Sequence, residues 1–504
     1  MVTWRRFLAP LGLVLILGAM LLLRARHAST PRALPAASSS ALPLALRPNL
    51  RLLVMTDLDG VLEPCGCTRD QLGGLDRLAA AVAQERSDGV PALLLSAGRL
   101  FFDPGSQSPN PVPTPRLWQA ETTADILRQM GLAAAGLDAR DLAHGHAFLA
   151  TLASRSRASW LAAGVLLERE ASQDLNSAAA IASAPLEPVK ASELRSIGGL
   201  RVGLVGALAK PTDGFPRGVR ASDDAASVAL GEVAQLRAQG VDAVIALTQI
   251  DASDVVQLAA PGGADFIVVS GDRSESYARP VERAWALHAA HEGQGLLAVD
   301  LWLRTRGAPF SELDAARLGT VNELRARYRD LPQSAPRDPT VRAALDGLAK
   351  RVNDYNRTAF ADVAPAPIAK DQAGFVGSRP CAACHTAEYI WWTSSAHGAA
   401  YAALARRDKQ YDLDCVSCHV TGYGKPGGST LTHVEALANV GCESCHGPGS
   451  THIADARPPH RFIHRSVPET LCKQCHDATH SHGFDFEAYS AKLRVPGHGL
   501  PLGH

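Results

Sequence analysis

One five-residue pattern occurs four times in the last quarter of this 504-residue chain. The copies are Cys381-Ala382-Ala383-Cys384-His385, Cys415-Val416-Ser417-Cys418-His419, Cys442-Glu443-Ser444-Cys445-His446 and Cys472-Lys473-Gln474-Cys475-His476. With 10 Cys and 18 His in the chain, chance supplies roughly 0.01 copies of such a pattern. The repetition therefore reflects a chemical requirement that shapes this part of the fold.

Cys-x-x-Cys-His is the attachment site of a c-type haem. The two thiols form thioethers to the porphyrin, and the adjacent imidazole binds the iron as proximal ligand. A structural zinc site or a disulfide framework does not require a His after each second Cys. We therefore predict four covalently bound haem c groups. The attachment residues are Cys381, Cys384, Cys415, Cys418, Cys442, Cys445, Cys472 and Cys475, and the proximal ligands are His385, His419, His446 and His476.

The charge balance excludes one class of partner. Lys and Arg together number 50, as do Asp and Glu, so the formal net charge is zero. No basic field points to nucleic acid. The length suggests two or three domains. Two of the ten cysteines, Cys65 and Cys67, lie outside the four motifs.

The first 26 residues have the pattern of an export signal. Arg5 and Arg6 precede an apolar run over residues 7–23. That run is near the lower limit for a membrane-spanning helix and slightly long for a cleaved signal core. We predict an uncleaved signal-anchor, with a cleaved signal peptide as the alternative. The protein is then either tethered on the periplasmic side of the cytoplasmic membrane or secreted to the periplasm, where haem is attached to this motif.

A tether and an α/β layered domain follow the signal. Residues 27–48 are rich in Ala, Ser and Pro, which is typical of a linker. Beyond them short apolar runs alternate with helical stretches, which predicts an α/β layered domain over residues 49–310. The predicted strands are residues 52–57, 92–96, 160–165, 200–208, 243–247 and 266–270, and the predicted helices include 71–85 and 122–130.

Several motifs in this domain resemble those of the 5′-nucleotidase-type calcineurin-like metallophosphoesterases. The matching segments are residues 56–60, 73–77, 95–98, 160–163, 201–206 and 264–271. The resemblance implies the fold of that family. It does not bring the active site, because the family binds two metal ions through Asp-x-His, Gly-Asp, Gly-Asn-His, a lone His and Gly-His-x-His.

The metal ligands of that family are mostly missing. The first motif keeps Asp57 but has Asp59 in place of His, and the second has Arg99 where the family has a bridging carboxylate. The later positions read Gly136-Leu137-Asp138, Thr248-Gln249 and Gly271-Asp272-Arg273-Ser274. A two-metal site needs several converging ligands. We therefore predict a degenerate phosphoesterase-like domain without hydrolase activity.

Beside the lost site lies Glu63-Pro64-Cys65-Gly66-Cys67-Thr68. The two cysteines are either a disulfide or a pair of inert thiols, or a thiolate pair for a soft metal or redox exchange. Residues 311–373 then form a linker. Within it Leu345, Leu348, Val352 and Tyr355 recur at helical spacing, which predicts an amphipathic helix over residues 339–356. It is either a brace between the domains or an ordinary surface helix.

Residues 374–504 resemble the tetrahaem cytochrome c-554 family. The resemblance is carried by residues 375–378, 418–424, 440–449 and 484–486, together with Trp391 and His397. It implies a mostly α-helical tetrahaem domain with closely packed porphyrins. It also implies three haems with two His ligands each and a second haem that is five-coordinate.

The distal ligands follow from that resemblance. His397, His452 and His498 match the family's distal ligands in order and context. Other candidates are His433, His460, His464, His480 and His482. Three distal ligands for four irons predict that the haem at His419 is open.

Three functions are compatible with this sequence. The first is an exported tetrahaem cytochrome that transfers electrons between redox partner proteins in a respiratory chain. The second is an oxidoreductase that reduces a small nitrogen or sulfur species at the open haem. The third, a metal-dependent nucleotidase fused to a cytochrome, is opposed by the missing ligands. The first requires only the four motifs, and we adopt it.

Overall fold

The computed structural model describes residues 47–64, 71–102, 114–168, 183–210, 214–215, 218–271, 274–314, 320–455, 463–477, 481 and 483–493. The predicted signal segment, Cys65, Cys67 and His498 lie outside these ranges. Within them, no helix has the length and apolar character needed to cross a bilayer. Residues Pro48–His504 form one compact unit.

The first sheet of this unit has eight strands. In spatial order they are β16 (Phe310–Glu312), β17 (Asn322–Asp330), β15 (Gly295–Trp302), β1 (Leu50–Met55), β2 (Ala92–Ser96), β3 (Leu132–Gly136), β4 (Ser159–Leu161) and β7 (Val189–Lys190). Five neighbouring strands of this sheet run parallel, namely β1, β2, β3, β4 and β7. Strand β15 pairs antiparallel with β1 and with β17. The sheet continues past residue 310, into the stretch that the sequence assigns to the linker.

A second sheet packs against the first. Its six strands, in order, are β13 (Tyr277–Val281), β14 (Ala284–His288), β12 (Phe266–Val269), β11 (Ala243–Gln249), β9 (Leu200–Leu208) and β8 (Ser192–Ile197). A small third sheet contains β10 (Val219–Ala221), β5 (Val165–Glu168) and β6 (Ser183–Pro185). The four central strands of the second sheet run parallel.

Alternation along β1 shows why the sheets form layers. Leu52 and Val54 belong to the core that also contains side chains of β11 and β12, whereas Leu53 and Met55 face the opposite core. That opposite core includes helices α1 (Leu75–Arg86), α2 (Thr114–Met130) and α3 (His146–Ser156). Helices α4 (Ala225–Ala238) and α5 (Ala252–Leu258) cover the second sheet. The predicted α/β layered fold is confirmed.

The C-terminal region is mostly helical, as predicted. Helix α6 (Pro339–Ala359) precedes it, and Asp338 caps α6 by accepting from the Thr340 and Val341 N–H groups. The remaining helices are α7 (Thr386–Ser394), α8 (Ala400–Ala405), α9 (Leu413–His419), α10 (Cys442–His446), α11 (Ser450–Ala454), α12 (Glu469–Cys472) and α13 (Phe486–Leu493). Between them the chain forms turns and short 3₁₀ segments.

Candidate haem-binding sites

Each of the four motifs lies in or beside a short helical turn. The second motif ends α9 and the third forms α10. The first motif begins within a 3₁₀ turn over Pro380–Ala383, and the fourth straddles the end of α12. The N–H of His385 donates to the carbonyl of Cys381 over 2.9 Å, and His476 bonds to Cys472 in the same way. All eight cysteines are free thiols. A helical turn places two residues three positions apart on one side, which suits two thioethers to one porphyrin.

Three proximal histidines have their Nδ1 atoms engaged in hydrogen bonds. Nδ1 of His419 lies 2.7 Å from the carbonyl oxygen of Ala400, and Nδ1 of His446 lies 2.7 Å from that of His464. Nδ1 of His476 lies 3.1 Å from the Ser481 hydroxyl. A neutral imidazole that donates through Nδ1 presents a bare Nε2, which is the form that binds a metal. These partners orient each ring for iron ligation.

Two distal candidates lie opposite proximal histidines. The ring centroids of His385 and His452 are 6.5 Å apart, and those of His476 and His397 are 6.2 Å apart. A metal–imidazole bond is about 2 Å long and half a ring adds about 1 Å, so two imidazoles sharing one ion have centroids roughly 6 Å apart. Both pairs fit two ligands of one iron. The residues present therefore fit haem.

The pairing crosses the order of the motifs. His397 follows the first motif in sequence but faces His476 of the fourth, and His452 follows the third but faces His385 of the first. Burial, together with the nearby imidazoles of His476 and His419, lowers the pKa of His397. A lowered pKa keeps this ring neutral, as a ligand must be. His498 lies outside the described residues.

The first and third motifs are in direct contact. The Cys381 and Cys442 sulfurs interact, which raises the pKa of the Cys381 thiol and lowers the pKa of the Cys442 thiol. The buried carboxylate of Glu443 accepts from the N–H groups of Val376, Gly377 and Gly449 at 2.7–3.1 Å. Glu443 thus ties the segment before the first motif to the segment after the third. The two attachment sites are held side by side.

The second motif has a different surrounding. Val416 of this motif packs with Val420 and Leu431 in a small buried cluster. His433, one of the other distal candidates, follows this motif by fourteen residues. Its Nδ1 lies 3.1 Å from the Thr430 hydroxyl and 3.2 Å from the Thr432 hydroxyl. The two threonines therefore hold His433 through the ring atom that is not needed for iron.

The phosphoesterase-like site contains an ion cluster. Arg99 donates from Nε and Nη2 to both carboxylate oxygens of Asp59, at 3.0 and 2.7 Å, and its Nε lies 3.5 Å from Asp57. Arg140 donates to Asp59 over 3.0 Å. Burial raises the pKa of Asp59 to about 6, although Arg99 acts in the opposite direction. A guanidinium thus occupies the space between the two carboxylates.

This cluster does not fit two metal ions. Asp57 accepts from the Ser270 hydroxyl and, over 3.0 Å, from the Gly271 N–H. Asp57, Asp59 and Arg99 all have positive φ values of 51°, 48° and 57°, which is strained backbone for side-chain-bearing residues. Among the described residues no group of three or more His, Cys, Asp or Glu could hold a metal ion.

Ion pairs connect the loop after β1 to the segment before the second motif. Glu63 accepts from Arg342 of α6 over 2.5 Å and pairs with Lys409 at 2.6 Å. Burial acts to raise the pKa of Glu63, but Lys409 and Arg342 outweigh it and lower the pKa to about 2. The side chains of Glu63 and Lys409 are only 15% and 24% exposed. No motif in the sequence marks these residues, because their partners are distant in the chain.

Helix α6 adds neutral contacts to the same segment. The Asn353 side chain accepts from the N–H of Tyr411 over 2.9 Å, and the Asn356 side chain donates to the Tyr411 carbonyl over 2.8 Å. A charged contact to the same segment comes from α2, where the Arg116 guanidinium donates to the Asp414 carboxylate over 3.2 Å. Helix α6 thus contacts both Glu63 in the loop after β1 and Tyr411 before the second motif.

A family model matches the C-terminal part of the chain. Residues 380–447 match the family described as "Cytochrome c554 and c-prime". A curated relative, cytochrome c-554 of Nitrosomonas europaea, is 32% identical over 145 residues, which cover 26% of this chain and 61% of the relative. The chain thus spans less than two thirds of that relative's length. The match indicates covalently bound haem c.

Solved structures resemble the α/β part at low identity. A 5′-nucleotidase precursor from Thermus thermophilus is 17% identical, with a TM-score of 0.46 and coverage of 66% of this chain and 62% of that chain. A calcineurin-like phosphoesterase from Bacillus subtilis is 14% identical, with a TM-score of 0.45 and coverage of 61% and 98%.

The C-terminal part carries the motifs, the ring geometry and the family match together. Residues 380–447 therefore match the cytochrome c554 family in sequence, and the C-terminal part of this chain is similar to a c-type cytochrome.

Proposed function

We propose that this protein is an exported tetrahaem c-type cytochrome that transfers electrons in a respiratory chain. Its partners are redox proteins of the periplasm, and residues 1–26 export it and tether it to the membrane or are removed. The observation that carries the proposal is the opposition of His385 with His452 and of His476 with His397. Iron with two imidazole ligands is saturated, so it exchanges electrons without binding substrate.

The residues divide the work of holding haem. The eight motif cysteines would attach the porphyrins, and His385, His419, His446 and His476 would ligate the irons. His397, His452 and His498 would be second ligands of three irons, with His498 assigned by resemblance alone. Bound haem supplies the one-electron chemistry. The contact between Cys381 and Cys442 supports close passage of electrons between the first and third haems.

The haem at His419 is the exception in this proposal. The two opposed pairs commit His452 to the first motif and His397 to the fourth. His498 is then left for the third, so no ligand matched by resemblance remains for the iron at His419. The hydrogen bonds of His433 to Thr430 and Thr432 use Nδ1 and leave Nε2 available, so His433 is the residue that decides whether this site is open. An open iron at His419 makes reduction of a small nitrogen or sulfur species the second candidate function.

Carbon monoxide binding and electron paramagnetic resonance test the open haem. We expect one haem per chain to bind carbon monoxide when reduced, because the other irons would have to release an imidazole held by the fold. The oxidised protein should show one high-spin signal beside low-spin haem, and His433→Ala should leave it unchanged. A wild-type spectrum with low-spin haem alone, and a high-spin signal gained in His433→Ala, would mean that His433 closes the site. The reductase function would then fall and the electron-transfer function would stand.

A further inference from the structure

In the part of the chain that the structure describes, two ion pairs join the α/β part to the segment before the second motif. The Glu63–Lys409 and Arg116–Asp414 ion pairs connect residues of the α/β part to the segment 409–414, directly before Cys415. Both ion pairs therefore reach the cytochrome at one place, beside one attachment site. Ion pairs at this place lie beside one haem attachment site, so they can affect that haem more than the other three.

Backbone hydrogen bonds connect Lys409 to the haem attachment site. The N–H of Asp412 donates to the Lys409 carbonyl over 3.1 Å, and the N–H of Cys415 donates to the Asp412 carbonyl over 3.1 Å. The Asp412 side chain caps α9 through the Asp414 N–H at 3.1 Å. Two consecutive turns therefore link Lys409 to Cys415.

The charge of Lys409 is also close to this attachment site. Its ammonium is mostly buried against Glu63, and the Cys415 sulfur is among the groups that act on it electrostatically. Charges in a partly desolvated site interact more strongly than charges in water. Reduction of ferric haem adds one negative charge, so a nearby cation favours the reduced form and a nearby anion opposes it.

We propose that the opposite charges of Lys409 and Glu63 set the reduction potential of the haem attached at Cys415 and Cys418. The α/β part thereby acts on the cytochrome through a single ion pair, although it lacks the metal ligands of the phosphoesterases. This inference rests on the proposed function, since it requires haem at the second motif.

The test compares two variants that break the same ion pair by opposite changes of charge. Lys409→Gln removes the cation, so one midpoint potential should fall. Glu63→Gln removes the anion, so the same midpoint should rise. Each change should alter the reduction equilibrium constant of that haem about fivefold, with the other midpoints unmoved. The measurement is a redox titration of the full-length holoprotein, followed by visible and electron paramagnetic resonance spectra.

A matched pair on α6 provides the control. Lys350 and Asp354 form an ion pair of 3.6 Å whose side chains are 74% and 52% exposed. Lys350→Gln and Asp354→Asn change charge in the same two ways at a solvated site, so neither should move a midpoint.

Three outcomes overturn the inference. If Lys409→Gln and Glu63→Gln shift the midpoint in the same direction, the pair acts only by holding the structure together. If covalent haem is intact and neither variant shifts a midpoint, the inference fails while the proposed function stands. If the wild-type chain carries no covalent haem, the proposed function fails and takes this inference with it.

Discussion

At the scale of single residues, Arg99 separates this protein from the phosphoesterases that it resembles. Its guanidinium binds both oxygens of Asp59 and lies 3.5 Å from Asp57. A metal ion in that position would meet a fixed positive charge and too few ligands. The sequence alone predicts this loss, because an Arg stands where the family has a carboxylate.

We therefore expect no phosphodiesterase or nucleotidase turnover from purified protein supplied with Mn²⁺ or Zn²⁺. The missing ligands and the ion pairs of Arg99 are the physical reason. The measurement is release of phosphate or nitrophenol from standard substrates. Metal-dependent turnover that disappears in Asp57→Ala would show that the site is active after all.

Glu63 gives the fold a defined sensitivity to acid. Its pKa is lowered from 4.5 to about 2, so the folded state binds this proton less readily than the unfolded chain. The stabilisation is complete above pH 4.5 and is lost as the pH falls towards 2. One pKa unit corresponds to 1.36 kcal/mol, so at most about 3 kcal/mol is involved.

In Glu63→Gln the fall in the free energy of unfolding between pH 4.5 and 2 should become shallower. Chemical denaturation followed by far-ultraviolet circular dichroism measures it. The control is Asp346→Asn, which changes another partner of Arg342 that is 66% exposed. If the free energy of unfolding falls equally steeply with pH in wild type and in Glu63→Gln, Glu63 does not contribute to the acid sensitivity.

At the scale of elements, helix α6 is predictable from its sequence, whereas its partners are not. Pro339 begins it, and its buried side chains Leu345, Leu348 and Val352 follow the helical period. The predicted end at residue 356 falls short of Ala359, since polar residues in the last turn give no periodic signal. Asn353 and Asn356 are buried and bond to Tyr411, a contact that no local pattern marks.

Asn353→Ala should expose the Tyr411 amide. That N–H donates to the Asn353 side chain over 2.9 Å, and a hydrogen bond of this kind contributes about 1 kcal/mol. Hydrogen exchange at Tyr411 should therefore accelerate about fivefold. Lys350→Ala, on the exposed face of the same helix, should leave the rate unchanged. Equal exchange rates in wild type and Asn353→Ala would mean that the amide is protected in another way.

Glycine explains two of the boundary differences among the other elements. The helix predicted from residue 71 begins at Leu75, because Gly73 and Gly74 have φ values of 94° and 109° that no helix contains. The strand predicted over residues 160–165 is divided into β4 and β5 by Gly164, whose φ is 75°. Strands β2 and β9 match their predictions, since their apolar runs lie in the core.

One larger difference comes from the helix predicted over residues 122–130. It begins at Thr114 instead, because its first two turns carry polar residues that hide the period. Helix α2 buries Ala120 and Ala124 in the first core, and tertiary packing overrides the weak local pattern there.

At the scale of the whole molecule, the sequence predicts which histidines matter but not how they pair. His397 and His476 are 79 positions apart in the chain, yet their rings are 6.2 Å apart. Distance along the sequence carries no information about that approach, which depends on how the turns between the motifs fold. The ion pair between Glu63 and Lys409 could not be predicted from the sequence for the same reason, since its two residues are far apart in the chain.

The central claim is that every Cys-x-x-Cys-His motif of the chain carries a haem. A pyridine haemochrome assay of the mature protein, read against protein concentration from amino-acid analysis, tests it most directly. The expected result is four covalent c-type haems per chain, one for each motif in the sequence. A value of two or fewer per fully matured chain would contradict the account.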